Sequence, residues 1–217
     1  MKKTVIILSV FAFIMGNCGQ PLYAQFKIPT GFSEFKNPSN IRPMKRICID
    51  FDGDGKKDTA TIIEKNDSIL HCYFLIYLTG SNKNHIIKML GSVDYVHPMP
   101  LSVKKNVIQF SYGVEQTSMA FKLRYNHTKQ KIQLIGYDSG GRTYLVVGGG
   151  DYKKSYNLLT GDYTVTCSYY GCYIVTNRVK GNLKEIYRGN KKMKDIFAED
   201  INDEILDQLD SVGSEFD

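Results

Sequence analysis

The densest chemistry in the chain lies in nine consecutive residues, Asp50-Phe51-Asp52-Gly53-Asp54-Gly55-Lys56-Lys57-Asp58. Carboxylates at the first, third, fifth and ninth places can converge on one point if the sixth place turns the backbone tightly, and Gly55 stands there. The carbonyl of Lys56, at the seventh place, adds another oxygen. Hard oxygen donors with room for water select Ca²⁺. Four carboxylates this close together repel one another unless a cation lies among them, so a bare turn explains the pattern less well. The expected metal ligands are Asp50, Asp52, Asp54, Lys56 through its carbonyl, and Asp58.

Such a loop needs rigid flanks, and the sequence supplies strands. Ile47-Cys48-Ile49 precedes it and Thr59-Ala60-Thr61-Ile62-Ile63 follows, both β-rich. An EF-hand would have helices on either side and Glu at place 12, where this chain has Thr61. The expectation is a calcium loop between two strands.

Other reactive residues form no constellation. His71, His85, His97 and His127 are scattered, and no Gly-x-Ser-x-Gly elbow occurs. Glu64, Glu115, Asp138 and Asp162 are candidates for an acid/base pair, but spacing does not show which of them face each other. No catalytic residue is assigned, and the chain reads as a non-enzyme. Gly148-Gly149-Gly150-Asp151 lacks the context of a phosphate loop and reads as a flexible connection. Cys167 and Cys172 flank four residues that suit a hairpin turn, which makes them the disulfide candidate. Cys48 and Cys72 fall on strands that neighbour a shared third strand and read as free thiols. Zinc is disfavoured, because no Cys-x-x-Cys or clustered Cys/His spacing occurs.

Lys2 and Lys3 followed by an apolar run from Thr4 to Met15 have the plan of a secretory signal peptide, spanning residues 1–24, with cleavage after Ala24. The alternative is lipidation at Cys18, for which Asn17 is a poor neighbour. No later apolar run has the length of a membrane helix, so the expected location is periplasmic or secreted, without a transmembrane helix. Export also makes disulfides admissible and argues against nucleic acid as a partner, since no recognition motif accompanies the basic charge. That charge is uneven: residues 25–194 hold 26 Lys and Arg against 13 Asp and Glu, whereas residues 195–217 hold nine acidic residues and no basic one. Either the acidic end packs on the basic body, or the body is a surface for an anionic partner that the acidic end screens.

Among 217 residues are 15 Tyr, 11 Phe and 19 Gly, which favours sheets over a helix bundle. Strands are expected over 46–50, 59–65, 69–79, 85–90, 106–112, 118–125, 131–138, 143–147, 163–167 and 173–177, joined by turns short enough to force antiparallel pairing. Met119, Phe121, Leu123 and Tyr125 alternate with Ala120, Lys122 and Arg124, which gives a strand with one buried face. Residues 69–78 are apolar almost throughout, so that strand is expected to be covered on both sides. From Met193, Phe197, Ile201, Ile205 and Leu209 recur every fourth residue on an otherwise acidic segment, predicting an amphipathic helix. The expected fold is a mainly-β antiparallel meander, whether sandwich, barrel or propeller-like, over residues 25–192, with an acidic C-terminal helix and tail over 193–217.

The loop and the strand after it, from Ile49 to Asp58 and onward, resemble the calcium loop of FG-GAP/VCBS repeats, present here as a single copy. Single loops of this kind also occur in small exported bacterial β-proteins, some of which are similar to periplasmic inhibitors of lysozyme-type effectors. The resemblance implies a calcium-binding domain acting as a binding or inhibitor module, against a cell-wall hydrolase as protein partner. A glycan-binding protein and a glycan hydrolase are the alternatives. Seven tyrosines among residues 144–173 offer either a recognition surface or cross-strand packing.

Overall fold

The computed structural model describes residues 26–36, 45–66, 72–89, 96–114, 116–143, 150–169 and 183–214. Fourteen strands are defined among them: β1 (Phe32–Glu34), β2 (Ile47–Ile49), β3 (Asp58–Lys65), β4 (Cys72–Leu78), β5 (Lys83–Lys88), β6 (Val96–Pro98), β7 (Ser102–Lys104), β8 (Val107–Val114), β9 (Thr117–Asn126), β10 (Lys131–Thr143), β11 (Gly150–Asn157), β12 (Asp162–Tyr169), β13 (Leu183–Asn190) and β14 (Ile196–Phe197). A 3₁₀ turn, Ala198–Asp200, and one helix, α1 (Asp203–Asp210), follow. The fold is mainly β, as expected, and every strand pairing is antiparallel. The small sheet runs β1-β3-β4-β5 with β2 beside β1 on the edge of β3; the large one runs β13-β12-β11-β10-β9-β8-β6, with β14 on β10 and β7 on β8. Neither sheet closes into a barrel.

Period-2 patterning sets the layers. Ile108, Phe110 and Tyr112 of β8 and Phe121 and Leu123 of β9 turn one way and are buried, as the alternation in β9 predicts. From the small sheet, Ile62, Phe74, Ile76 and Ile87 join the same core cluster. An aromatic column bridges the layers: Phe74 stacks on Phe110 with centroids 4.5 Å apart, and Phe110 on Phe121 at 4.8 Å. Strand β4 is buried on both faces, as its nearly continuous apolar sequence requires. Its other face is met by the N-terminal segment, where Phe26 packs on Tyr77 and Phe32 edge-on against Tyr73.

The C-terminal helix is shorter than the four-residue spacing predicts. Ile196 and Phe197 pair instead with Leu134 and Gln133 of β10, so the sheet ladder satisfies backbone that a helix would otherwise have to satisfy. The helix starts at Asp203 because the Asn202 side chain accepts a hydrogen bond from the Ile205 N–H at 2.9 Å. Leu206, Leu209 and the following Val212 enter the core, and the Tyr137 hydroxyl donates to Asp210 at 2.7 Å. The acidic end therefore packs on the body. Asn202→Ala is expected to cost about 1 kcal/mol, read from denaturant unfolding, with the strands unaffected.

Other boundaries also differ from expectation. Gly150 and Asp151 open strand β11 rather than forming a loose connection, and residues 144–149 lie outside the described set. β12 continues through Ser168 and Tyr169, which pair with Lys184 and Leu183, so no tight hairpin begins at residue 168. Cys167 is buried within that strand; Cys172, its expected partner, and the expected strand 173–177 lie outside the described residues, as do residues 1–25 with the expected signal and Cys18. Cys48 and Cys72 both face β3, opposite Thr59 and Glu64, too far apart along that strand to bridge, and both are free thiols. Burial, followed by the nearby Glu64 charge, pushes the Cys72 thiol up to about 11. Among the described residues no helix is long and apolar enough to cross a membrane.

Candidate metal centre

The aspartate loop joins β2 to β3, in the place its flanking strands predict. Two glycines make the turn: Gly53 has φ +78° and Gly55 φ +84°, values that cost a side chain strain. Phe51 is 2% exposed and anchors the loop in the core. Asp50, at the first place, accepts the N–H of Gly53 at 2.7 Å and of Gly55 at 3.0 Å, closing the turn on itself.

Asp58, the first residue of β3, is 2% exposed. Its Oδ2 accepts the N–H of Phe51 at 2.8 Å and of Asp52 at 3.3 Å, and its Oδ1 accepts the N–H of Thr79 at 2.8 Å. Thr79 lies just beyond β4, and its hydroxyl donates to the Lys57 carbonyl at 2.6 Å, so the β4–β5 turn braces the loop. Carboxylate oxygens of Asp50, Asp52 and Asp58 lie within 4.8 Å of one another. Each carboxylate has lone pairs beyond those used by the backbone, so the three can share a cation without breaking the turn.

The structure thus brings together three of the four expected carboxylates. Asp54 stands apart: its Oδ1 accepts the Lys56 N–H at 2.8 Å, and its carboxylate lies over Gly80, where a Cβ would meet Asp54 Oδ2 at 1.6 Å. Lys56 is exposed, and its N–H is committed to Asp54.

Electrostatics show what the cluster costs. Partial burial, then the charge of Asp58, with Asp54 and Asp50 adding, raise the Asp52 carboxyl above its ordinary range. Asp58 is raised as well, by burial, against the lowering effect of the N–H donors of Thr79, Phe51 and Asp52. Two residues that local spacing could not reveal come from the β9–β10 hairpin of the large sheet. The His127 ring approaches Gly53 closely enough that a Cβ there would sit 3.2 Å from Cε1. Tyr125 packs edge-on against His127 and has its hydroxyl pKa raised by burial and by the charges of Asp52, Asp54 and Asp58. The loop therefore sits at the seam of both sheets.

The remaining carboxylates are dispersed. Glu64 accepts from Ser33, Asp138 pairs with Lys122, and Asp162 accepts from Asn190; Glu115 lies outside the described residues.

A second titratable group lies on β5. His85 is 6% exposed on the core side of β5, beside a small pocket of about 210 Å³ that Ala198 and Glu199 also line. Burial first, then Lys83, lowers its pKa, with Glu199 opposing. In the unfolded chain this imidazole takes up a proton near pH 6.5, whereas the folded chain resists until lower pH. The unfolded state then binds more protons, so stability is full above about pH 6.5 and falls as pH drops through that window. Thermal unfolding from pH 8 to 5 is expected to show this loss, and His85→Gln to reduce it.

Comparison with protein families, with curated proteins and with solved structures finds no match for this chain.

Proposed function

We propose that the protein is an exported β-sandwich that holds one Ca²⁺ in the β2–β3 loop and works as a binding or inhibitor module. The observation that carries the metal reading is the convergence of Asp50, Asp52 and Asp58 from a single Gly-turned loop to within 4.8 Å. Oxygen-only donors suit Ca²⁺, with water completing the shell. The ion's role is structural: it neutralises carboxylates whose mutual repulsion the fold otherwise bears, and it fixes the loop that meets both the β4–β5 turn and the β9–β10 hairpin. Sites in extracellular modules bind at about 10⁻⁴ to 10⁻³ M. A hundredfold excess over the dissociation constant adds about 2.7 kcal/mol of stability.

Binding rather than catalysis fits the dispersal of the remaining carboxylates and histidines. The resemblance of the Ile49–Asp58 loop to FG-GAP/VCBS calcium loops, which also occur singly in small exported β-proteins, supports the same reading, with a cell-wall hydrolase or a glycan as partner.

Asp52→Ala is expected to abolish the rise in melting temperature that calcium gives, whereas Asp54→Ala retains most of it, because Asp54 lies against Gly80 and outside the triad. Scanning calorimetry with calcium and with chelator checks both; equal loss in the two variants would show that the ion draws Asp54 in as well.

A further inference from the structure

We propose that the outer face of the large sheet is a groove for an acidic polysaccharide. The inference rests on the binding-module reading above but not on the calcium loop. The alternation that turns Ile108, Phe110, Phe121 and Tyr137 into the core leaves Ser111, Ser118, Ala120, Gly140 and Ser155 on the opposite face. These short side chains floor an open groove of about 890 Å³, with His97, Met99, Arg142 and Lys153 also lining it. That volume falls in the range of ligand sites, about 300 to 1,000 Å³.

Charge identifies the occupant. Register places Arg142 across from Asp151, Lys153 across from Gly140, and, further along the same face, Arg188 across from Thr164 and Lys184 across from Ser168. These four cations are exposed and make no ion pair among the described residues. The carboxylates that register places on this face are Asp138, Asp151 and Asp162, the last of which accepts from the Asn190 side chain at 2.7 Å. Asp138 is already paired with Lys122 at 2.6 Å and accepts from Ser155 at 2.7 Å.

The acidic C-terminal segment does not neutralise the face, because it packs elsewhere. Tyr137 and Lys154 reach Asp210 from the core side of the sheet, Gln133 donates to Asp195, and Lys131 holds Glu199. Arg142, Lys153, Lys184 and Arg188 are therefore presented outward on a face whose floor carries the hydroxyls of Ser111, Ser118 and Ser155.

This combination selects among anionic partners. Serine hydroxyls both donate and accept, which matches the hydroxyls of a sugar chain, while the cations meet its acidic groups. A bilayer surface is a poorer match, since binding there inserts a protruding apolar face between headgroups, whereas this floor is recessed. An acidic peptide would meet the cations but leave the hydroxyl floor unused.

The test measures binding of the full chain to polygalacturonate, with dextran as neutral glycan, poly-glutamate as acidic peptide and phosphatidylglycerol vesicles as anionic surface. Arg142→Ala/Lys153→Ala is compared with Lys36→Ala/Lys88→Ala, which removes the same charge from other exposed positions. The expected result is binding to polygalacturonate and not to dextran, weakened about tenfold by the groove pair, a loss of about 1.4 kcal/mol, and left nearly unchanged by the control pair, with both variants melting like the parent. Equal weakening by the two pairs would overturn the groove in favour of diffuse charge. Preference for poly-glutamate or vesicles, still dependent on Arg142 and Lys153, would overturn the polysaccharide class while leaving the binding-module reading standing. No binding to any probe would overturn the groove, and the binding-module reading would then depend on a hydrolase partner, assayed by lowered lysis.

Discussion

Replacing Asp58 with Ala is expected to destabilise the protein more in calcium than in chelator. The substitution leaves the N–H groups of Phe51, Asp52 and Thr79 without their acceptor, and Phe51 is itself buried. Lost acceptors of this kind cost about 2 to 4 kcal/mol together. In chelator part of that cost is returned, because removing one charge relieves Asp52, whose carboxyl the Asp58 charge raises. In calcium nothing is returned, since the ion already compensates the charges, and its binding energy is lost too. Asp58→Asn separates the two roles. It keeps a carbonyl oxygen for one set of N–H donors and so unfolds closer to the parent in chelator, while its calcium response falls between those of the parent and Ala, because the amide oxygen still ligates but brings no charge to the ion. Denaturant titrations of the three proteins in both media check this; an Ala variant with an undiminished calcium response would exclude Asp58 as a ligand.

The second large effect lies in the core. Phe110 touches both layers, stacked on Phe74 of the small sheet and Phe121 of its own. It is fully buried, and Phe110→Ala is expected to cost about 3 to 5 kcal/mol, through lost transfer energy and the cavity left in a packed seam. Because the column joins the sheets, the loss is expected to show in one cooperative transition at lower denaturant, rather than as separate melting of the small sheet. Two resolved transitions in the variant would show that the aspartate loop and the β4–β5 turn hold the small sheet together without it.

What the sequence reveals and what it hides follow from the range of the forces involved. Strand β9 was legible because its inward residues, Phe121 and Leu123, are apolar and its outward ones are not. Strand β4 was legible because burial on both faces leaves a continuous apolar run. Strand β11 was hidden by Lys154, which sits at an inward place between Tyr152 and Tyr156 and breaks the apolar alternation; its ammonium donates to the Asp210 carbonyl, 56 residues away. Strand β13 was hidden because, as an edge strand, it shows exposed Lys184, Ile186 and Arg188. The helix start was misplaced because Ile196 and Phe197 keep helical spacing with later residues while pairing with β10.

The aspartate loop shows the same division. Glycine placement and carboxylate spacing are local, and from them come the turn and the three carboxylates, Asp50, Asp52 and Asp58, that converge in the structure. That Asp54 lies over Gly80, that Thr79 braces Asp58, and that Tyr125 and His127 approach from the other sheet are long-range facts, with no signature in nine residues.

The most direct test of the calcium site is equilibrium titration of the protein with Ca²⁺ by calorimetry, followed by Asp52→Ala under the same conditions. The structure predicts one ion per chain, with affinity in the range of extracellular modules, and no binding by the variant. A parent protein that takes up no calcium, or a variant that binds it as tightly as the parent, would contradict the site formed by Asp50, Asp52 and Asp58.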